Sequence, residues 1–334
     1  MKKATVFGAG SFGTAIAQVL TANFDEVVLW GRDAALIDLV NGQHENVNYL
    51  PGLALNPKIR GSTDLEASAH GAELVVVATP SQATRDLLGR TQKLFPLHVP
   101  VVSVAKGIEN GTLSTMTEVL EQCLPEEYHP HIAVLSGPSF AKEMVKRLPT
   151  VVTIASRFET TARAAQAMFK SDVFRTYTST DVVGVQVGGA LKNVIAIAAG
   201  MSDGLGLGHN SRAAIITRGL AEITRIAVRM GGNPLTLSGL AGLGDLVLTC
   251  TGELSRNRTV GFELGRGRSL DDILKEMKQV AEGVKTAKSA RDLALKVGVE
   301  LPICEQVYKI AWEGSSPKAA VAELMGRTAK SELV

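Results

Sequence analysis

Short apolar or β-prone runs alternate with amphipathic segments as far as about Thr180. Runs of this kind are typical of strands buried in a sheet, and they predict strands at 4–7, 27–30, 74–79, 99–104, 132–135 and 151–155. Helical segments are predicted between several of these runs, for example at 81–91 and 113–120. Strands that alternate with helices predict a parallel sheet wound by crossover connections.

Helical periodicity dominates the rest of the chain. Within 211–230, apolar residues recur at alternating steps of four and three and form one stripe, which consists of Ile216, Leu220, Ile223, Ala227 and Met230. The opposite, polar face is formed by Arg218, Glu222, Arg225 and Arg229. The change of pattern, in a chain of 334 residues, predicts two domains, an α/β domain at 1–181 and an all-α domain at 182–334.

Composition narrows the classes of function. The 35 basic and 33 acidic residues nearly cancel, so there is no electrostatic case for binding nucleic acid or an anionic membrane. The 3 cysteines are widely spaced, which argues against a disulfide framework or a zinc knuckle and favours the cytoplasm. No unbroken apolar run reaches the length of a membrane span, and the 6 histidines show no metal-ligand spacing, so neither a span nor a metal is expected.

The first predicted strand leads into the turn Gly8-Ala9-Gly10-Ser11-Phe12-Gly13, which opens a predicted helix. In this G-x-G-x-x-G pattern, the first glycine makes the turn and the second lets the backbone approach a pyrophosphate. The third lets the helix pack on the strand, so that the helix N-terminus faces the phosphates. In its strand–turn–helix setting the pattern predicts a Rossmann-type dinucleotide-binding domain.

The end of the second strand bears on the choice between NAD and NADP. NAD-selective folds usually place an acidic residue there, whereas this chain has Gly31 followed by Arg32. A guanidinium suits a 2′-phosphate better than a ribose diol. Asp33 is a competing ribose ligand, and Arg32 could also be a solvated loop charge, so both NADP(H) and NAD(H) are expected.

Polar residues in otherwise apolar surroundings are candidates for the chemistry. Lys192 lies in an apolar, small-residue helix, where burial would lower its pKa and suit it to proton transfer; alternatively, it snorkels to the surface. Lys106 follows a predicted strand at its carboxyl end. Asp245 is either a site residue or a helix cap, and the loop at 255–257 could bind a phosphate. Arg258 is interpreted as a solvated charge.

Several segments together resemble one family. The run Gly189-Ala190-Leu191-Lys192-Asn193, continued through Gly200 and 203–210, resembles the signature of bacterial NAD(P)-dependent glycerol-3-phosphate dehydrogenases. The glycine turn and the segments 104–109, 135–141, 242–245 and 255–257 extend this resemblance over essentially the whole chain.

The resemblance implies roles for individual residues. Lys192 would exchange the proton and contact the substrate, and Lys106 would contact both substrate and cofactor. The other implied substrate contacts are Gly137, Ser139, Asp245, Ser255, Arg256 and Asn257. The implied cofactor contacts are Ser11, Phe12, Arg32, Ala141, Arg256, Val280 and Glu282, to which the turn itself adds Gly8, Gly10 and Gly13.

The implied reaction is the reversible, NAD(P)-dependent reduction of dihydroxyacetone phosphate to sn-glycerol 3-phosphate, which supplies phospholipid synthesis. A homodimer is expected from the general frequency of such assemblies. One alternative is another two-domain Rossmann dehydrogenase, specific for a 3-hydroxy acid or 6-phosphogluconate. A second is a dinucleotide-binding redox sensor without turnover. Fold alone does not separate these possibilities.

Overall fold

The computed structural model of the chain describes residues 1–277, 281–329 and 331–332. Its strands are β1 Lys3–Phe7, β2 Glu26–Trp30, β3 Ile59–Ser62, β4 Leu74–Val77, β5 Val101–Ser103, β6 Ile132–Ser136, β7 Thr150–Ala155 and β8 Phe174–Ser179. They form one sheet in the order β3-β2-β1-β4-β5-β6-β7-β8. This order, which extends outward from β1 in both directions, is that of a doubly wound Rossmann-type sheet.

The expectation of a parallel sheet is wrong for one pair of neighbouring strands. Strands β6 and β7 pair antiparallel, with Val134 opposite Ala155, whereas the other neighbouring pairs are parallel. Both strands are rich in buried apolar residues, and such runs carry no information about direction.

Two of the strands, β3 and β8, were not predicted. Both lie at the edges of the sheet, and both contain residues that are not buried. Along β8, the buried Phe174 and Thr176 alternate with the exposed Arg175 and Tyr177, and β3 has a single fully buried residue, Ile59. Edge strands of this composition lack the continuous apolar run on which the prediction depended.

Helices cover both faces of the sheet. They are α1 Ser11–Leu20, α2 Ala34–Gln43, α3 Leu65–Ala69, α4 Thr84–Thr91, α5 Met116–Cys123, α6 Ala141–Val145 and α7 Glu159–Phe169, with 3₁₀ turns at Ser81–Ala83 and Glu126–His131. Helix α5 begins later than predicted because Leu113 has a φ of 62°, which is left-handed, and because Thr115 caps the helix. On β1, the neighbours Val6 and Phe7 pack into separate apolar clusters on opposite faces.

The rest of the chain is helical, as predicted. Its helices are α8 Val182–Gly204, α9 Gly208–Arg229, α10 Pro234–Leu237, α11 Asp245–Thr251, α12 Arg256–Gly265, α13 Leu270–Glu276, α14 Glu282–Val297, α15 Pro302–Glu313 and α16 Pro317–Met325, with a π-helical turn at Leu240–Gly244. Helix α8 is buried around most of its circumference and forms the centre of this half of the chain.

Helix α8 also bears on the expectation that no segment spans a membrane. It and the interrupted segment Pro234–Thr251 are long and apolar enough to cross a membrane by length and composition alone. However, 83% of the apolar window in α8 is buried inside the protein. A core helix has the same composition as a spanning helix, so the two candidates are weak evidence for a membrane protein.

The polar face predicted for 211–230 is wrong at one position. Glu222 of α9 is 4% exposed rather than solvated. Its carboxylate accepts hydrogen bonds from the backbone N–H groups of Ile303, at 2.7 Å, and Cys304, at 3.2 Å, in the first turn of α15. Burial raises the pKa of Glu222 to about 7, although these hydrogen bonds act in the opposite direction.

Candidate active site

The glycine turn joins β1 to α1 in the predicted strand–turn–helix arrangement. Gly8 has a φ of 130°, and its N–H donates to the carbonyl of Trp30 on β2. A Cβ on Gly13 would lie 1.9 Å from the Gly8 carbonyl oxygen, so any larger residue would separate α1 from β1. The turn therefore holds the N-terminus of α1 close to the carboxyl end of the sheet.

The N-terminus of α1 borders a cleft of about 840 Å³. Gly10, at the N-cap, lines this cleft and provides no side-chain cap, and the first turn of the helix contains no acidic residue. A Cβ on Gly10 would meet no atom within 4 Å. This open, electropositive helix end fits the pyrophosphate of a dinucleotide.

The residues at the end of β2 fit the adenosine ribose. Arg32 is exposed and lines the same cleft. Asp33 also lines it, but its carboxylate accepts the N–H of Leu36 at 3.2 Å and caps α2. A Cβ on Gly31 would lie 2.9 Å from the Cβ of Ala9, which leaves no room for the usual strand-end acid. Arg32 is therefore better placed than Asp33 to contact a 2′-phosphate.

A carboxylate from α11 holds two lysines at the centre of the cleft. Asp245, which is 1% exposed, lies with one carboxylate oxygen 2.7 Å from Lys106 Nζ and the other 3.1 Å from Lys192 Nζ. Lys106 follows β5, whereas Lys192 lies on α8. Lys192 Nζ also donates to the Thr249 hydroxyl at 2.7 Å. One buried acid thus brings together two cations from distant parts of the chain.

The surroundings of Lys192 change its acidity. Its side chain is 7% exposed, so the snorkelling alternative is wrong. Burial lowers the pKa of Lys192 from 10.5 to about 8; Asp245 opposes this change, and the neighbouring Lys106 adds to it. With such a pKa, Lys192 can give a proton as the ammonium and accept one as the neutral amine near neutral pH.

The start of α12 supplies the predicted anion-binding residues. Ser255 caps this helix, accepting the N–H of Arg258 at 3.2 Å, and Asn257 accepts the N–H of Gly283 at 2.9 Å. Arg256 lies between them, and all three residues line the cleft. Burial against the cleft wall lowers the pKa of Arg256, and the nearby carboxylate of Glu282 opposes this change.

The remaining predicted contacts support the same cleft. The Gly137 carbonyl accepts hydrogen bonds from Lys106 Nζ at 3.1 Å and the Ser139 hydroxyl at 2.8 Å. The Phe12 ring centroid lies 5.5 Å from Lys106 Nζ. The cleft is also lined by Gly8, Ser11, Phe12, Ser139, Ala141 and Glu282, whereas Gly13 and Gly137 are not among its lining residues. Val280 falls outside the described residues.

The structure adds two residues and corrects a third. Asn193 and Thr249 line the cleft and were not assigned a role from the sequence. Thr249 is four residues after Asp245, so the helical spacing could have indicated it. Arg258 is not a solvated charge, because its guanidinium lies 2.7 Å from the carboxylate of Asp203. Within the described ranges, no group of three or more His, Cys, Asp or Glu side chains could hold a metal ion.

Comparison with known families covers both halves of the chain. The sequence profile of the NAD-dependent glycerol-3-phosphate dehydrogenase N-terminus matches residues 3–162, and the profile of its C-terminus matches residues 181–322. The chain belongs to this family. The resemblance based on the sequence motifs is therefore confirmed.

Relatives of the family share the whole length of the chain. A glycerol-3-phosphate dehydrogenase [NAD(P)+] from Myxococcus xanthus is 65% identical, over 99% of both chains, and one from Anaeromyxobacter dehalogenans is 55% identical, over 99% of this chain and 100% of the other. The crystal structure of glycerol-3-phosphate dehydrogenase from Coxiella burnetii is 37% identical, with a TM-score of 0.92, and the match covers 98% of this chain and 99% of that one.

Proposed function

We propose that this chain reduces dihydroxyacetone phosphate to sn-glycerol 3-phosphate, reversibly, with NADPH or NADH. The observation that carries the proposal is the Lys106–Asp245–Lys192 arrangement in the cleft that begins at the glycine turn. A dinucleotide held in this cleft would supply the hydride for C2 of the substrate. Gly8, Gly10, Ser11, Phe12, Gly13, Arg32, Lys106, Ala141, Arg256, Val280 and Glu282 are the proposed cofactor contacts.

Lys192 is the proposed acid–base residue. As C2 accepts the hydride, its carbonyl oxygen becomes negatively charged, and the ammonium of Lys192 stabilises this charge and donates the proton. The neutral amine then regains a proton from solvent. In the reverse direction, the amine accepts the proton from the hydroxyl group. A pKa of about 8 allows both protonation states to be populated near neutral pH.

Lys106 and Asp245 prepare the site for this step. Asp245 orients both ammonium groups, because each of its oxygens contacts a different lysine. Lys106 adds positive potential where the oxygen develops charge. Both lysines and Asp245 are mostly buried, so electrostatic interactions among them and with the substrate are stronger than in bulk solvent.

The phosphate of the substrate is proposed to bind at the first turn of α12. Arg256 offers a charged fork of donors, and Ser255 and Asn257 flank it. Gly137 and Ser139 complete the proposed substrate contacts near Lys106. Binding the phosphate at a distance from C2 positions the reacting carbon and contributes to catalysis through orientation.

The domain division, the oligomeric state and the cellular location are also proposals. We propose a division into a dinucleotide-binding domain at 1–181 and a substrate-binding domain at 182–334, supported by Asp181, which accepts the N–H of Gly184 at 2.8 Å and caps α8. A cytoplasmic homodimer that supplies glycerol 3-phosphate for phospholipid synthesis is the proposed biological form.

One assay tests the proposed activity. Addition of dihydroxyacetone phosphate to enzyme and NADPH should decrease the absorbance of NADPH, and NADH should be tested in parallel. Unphosphorylated dihydroxyacetone should be a much poorer substrate. Tight NADPH binding without any substrate-dependent change in absorbance would favour a redox sensor. Turnover of a 3-hydroxy acid or 6-phosphogluconate instead would favour another dehydrogenase.

A further inference from the structure

Asp203, near the C-terminal end of α8, holds two arginines from two different helices. Its carboxylate lies 2.7 Å from Arg258 Nη2 of α12 and 3.2 Å from Arg212 Nη1 of α9. Arg258 Nε contacts the same carboxylate at 3.0 Å, so this guanidinium makes two contacts. The three side chains are between 11% and 23% exposed, so solvent screens this cluster less than it would a surface pair.

Helices α8 and α12 lie in close contact beside this cluster. A Cβ on Gly200 would lie 2.0 Å from the Arg258 carbonyl oxygen, and a Cβ on Gly261 would lie 2.0 Å from the carbonyl oxygen of Ile197. The backbones therefore touch directly, and a small shift of one helix must displace the other. The ion pair, with its two contacts from one guanidinium, adds a directional restraint on the position of α12 along α8.

The same turn of α12 carries the proposed phosphate contacts. Arg256 and Arg258 are two residues apart, and side chains at this spacing on a helix point in different directions. Arg256 therefore faces the cleft while Arg258 faces α8. Lys192 lies eleven residues before Asp203 on the same helix, about 16 Å along its axis.

We propose that the Asp203–Arg258 ion pair positions the first turn of α12, and so sets the placement of Arg256 relative to Lys192. The inference rests on the proposed function, because it assigns the pair to the binding of the substrate phosphate. Neither Asp203 nor Arg258 lines the cleft. Both are therefore positioning residues that act through Arg256, and their loss affects substrates that carry the phosphate.

Arg212 provides a matched control within the same cluster. Arg258→Met and Arg212→Met each remove one positive charge beside Asp203, and each leaves Asp203 paired with the other arginine. The two variants therefore weaken any long-range attraction for the phosphate to a similar extent. They differ in the helix that loses its contact with Asp203, which is α12 for Arg258→Met and α9 for Arg212→Met.

The test compares steady-state kinetics of the wild type and both variants with dihydroxyacetone phosphate and with unphosphorylated dihydroxyacetone. Arg258→Met should raise the KM for dihydroxyacetone phosphate about tenfold and lower kcat by a smaller factor, because a misplaced phosphate also misorients C2. Its kcat/KM for dihydroxyacetone should change little. Arg212→Met should lower the melting temperature comparably and leave the KM for dihydroxyacetone phosphate close to that of the wild type.

Equal KM values in the two variants would overturn the inference, as would equal losses with both substrates in Arg258→Met. Arg258→Lys keeps the charge but not the two-contact geometry, and should give an intermediate KM. If Arg258→Met does not fold, an unchanged KM in Arg258→Lys overturns the inference. A wild-type enzyme that does not reduce dihydroxyacetone phosphate would instead refute the proposed function, and this inference with it.

Discussion

Lys192→Met removes the proposed proton donor and keeps a side chain of similar length. Turnover should fall by at least about 10²-fold, the low end for the loss of a positioned acid–base group. The loss should be larger if the same ammonium also stabilises the charged oxygen. NADPH binding should persist, because the glycine turn and Arg32 are unchanged.

The same substitution should increase stability at neutral pH. Lowering the pKa of Lys192 from 10.5 to about 8 corresponds to about 3 kcal/mol against the ionised form in the folded protein. This cost is absent above pH 10.5 and appears fully as the pH falls through 8. Asp245 keeps Lys106 as its partner at 2.7 Å in the variant, so no buried charge is left unpaired.

Urea unfolding at pH 7 and pH 10 measures the change in stability. Steady-state turnover and NADPH titration on the same samples measure the loss of catalysis and the retention of cofactor binding. The free energy of unfolding of Lys192→Met should exceed that of the wild type by up to about 3 kcal/mol at pH 7, and by less at pH 10. Lys285→Met, at an exposed position of α14, is the control and should show neither effect. Near-normal turnover would move the proton role to Lys106, and a pH-independent difference in stability would refute the desolvation argument.

Three further substitutions test other parts of the structure. Arg32→Ala should weaken the binding of NADPH more than that of NADH, by roughly 1.5–3 kcal/mol in fluorescence titrations; equal losses would show that Arg32 does not contact the 2′-phosphate. Arg256→Ala should greatly lower kcat/KM for dihydroxyacetone phosphate and far less for dihydroxyacetone, whereas parallel losses would indicate a structural or cofactor role. Glu222 has its pKa raised to about 7, so it favours folding most below pH 4.5 and loses this contribution as the pH rises through 7. Glu222→Gln should lack this slope in denaturant unfolding, and an unchanged slope would contradict the assignment.

Local patterns predicted those parts of the site that depend on neighbouring residues. The glycine turn is recognisable because strand, turn and helix are contiguous in the sequence. Lys192 stands out because it interrupts an apolar helix. The spacing from Asp245 places Thr249 beside the site, but its contact with Lys192, which lies 57 residues earlier in the chain, is visible only in the fold.

Tertiary contacts account for the errors. Periodicity placed Glu222 on a solvated face, but α15 packs its first turn against that carboxylate. Arg258 was interpreted as solvated because Asp203, its partner, is distant in sequence and meets it only after α8 and α12 have packed together. Similarly, the direction of β7 depends on the path of the segment that connects it to β6, not on the composition of the strand.

The position of Asp245 has a consequence for how the protein folds and is degraded. The acid that pairs with Lys106 comes from the helical half of the chain, whereas Lys106 itself comes from the α/β half. A partly unfolded or proteolysed molecule that kept the α/β half could retain the glycine turn, but it would lack both Asp245 and Lys192. Such a fragment would also lose Arg256 and Glu282 from the cleft wall but would keep the N-terminus of α1 and Arg32, so turnover depends on the entire chain more strictly than nucleotide binding does.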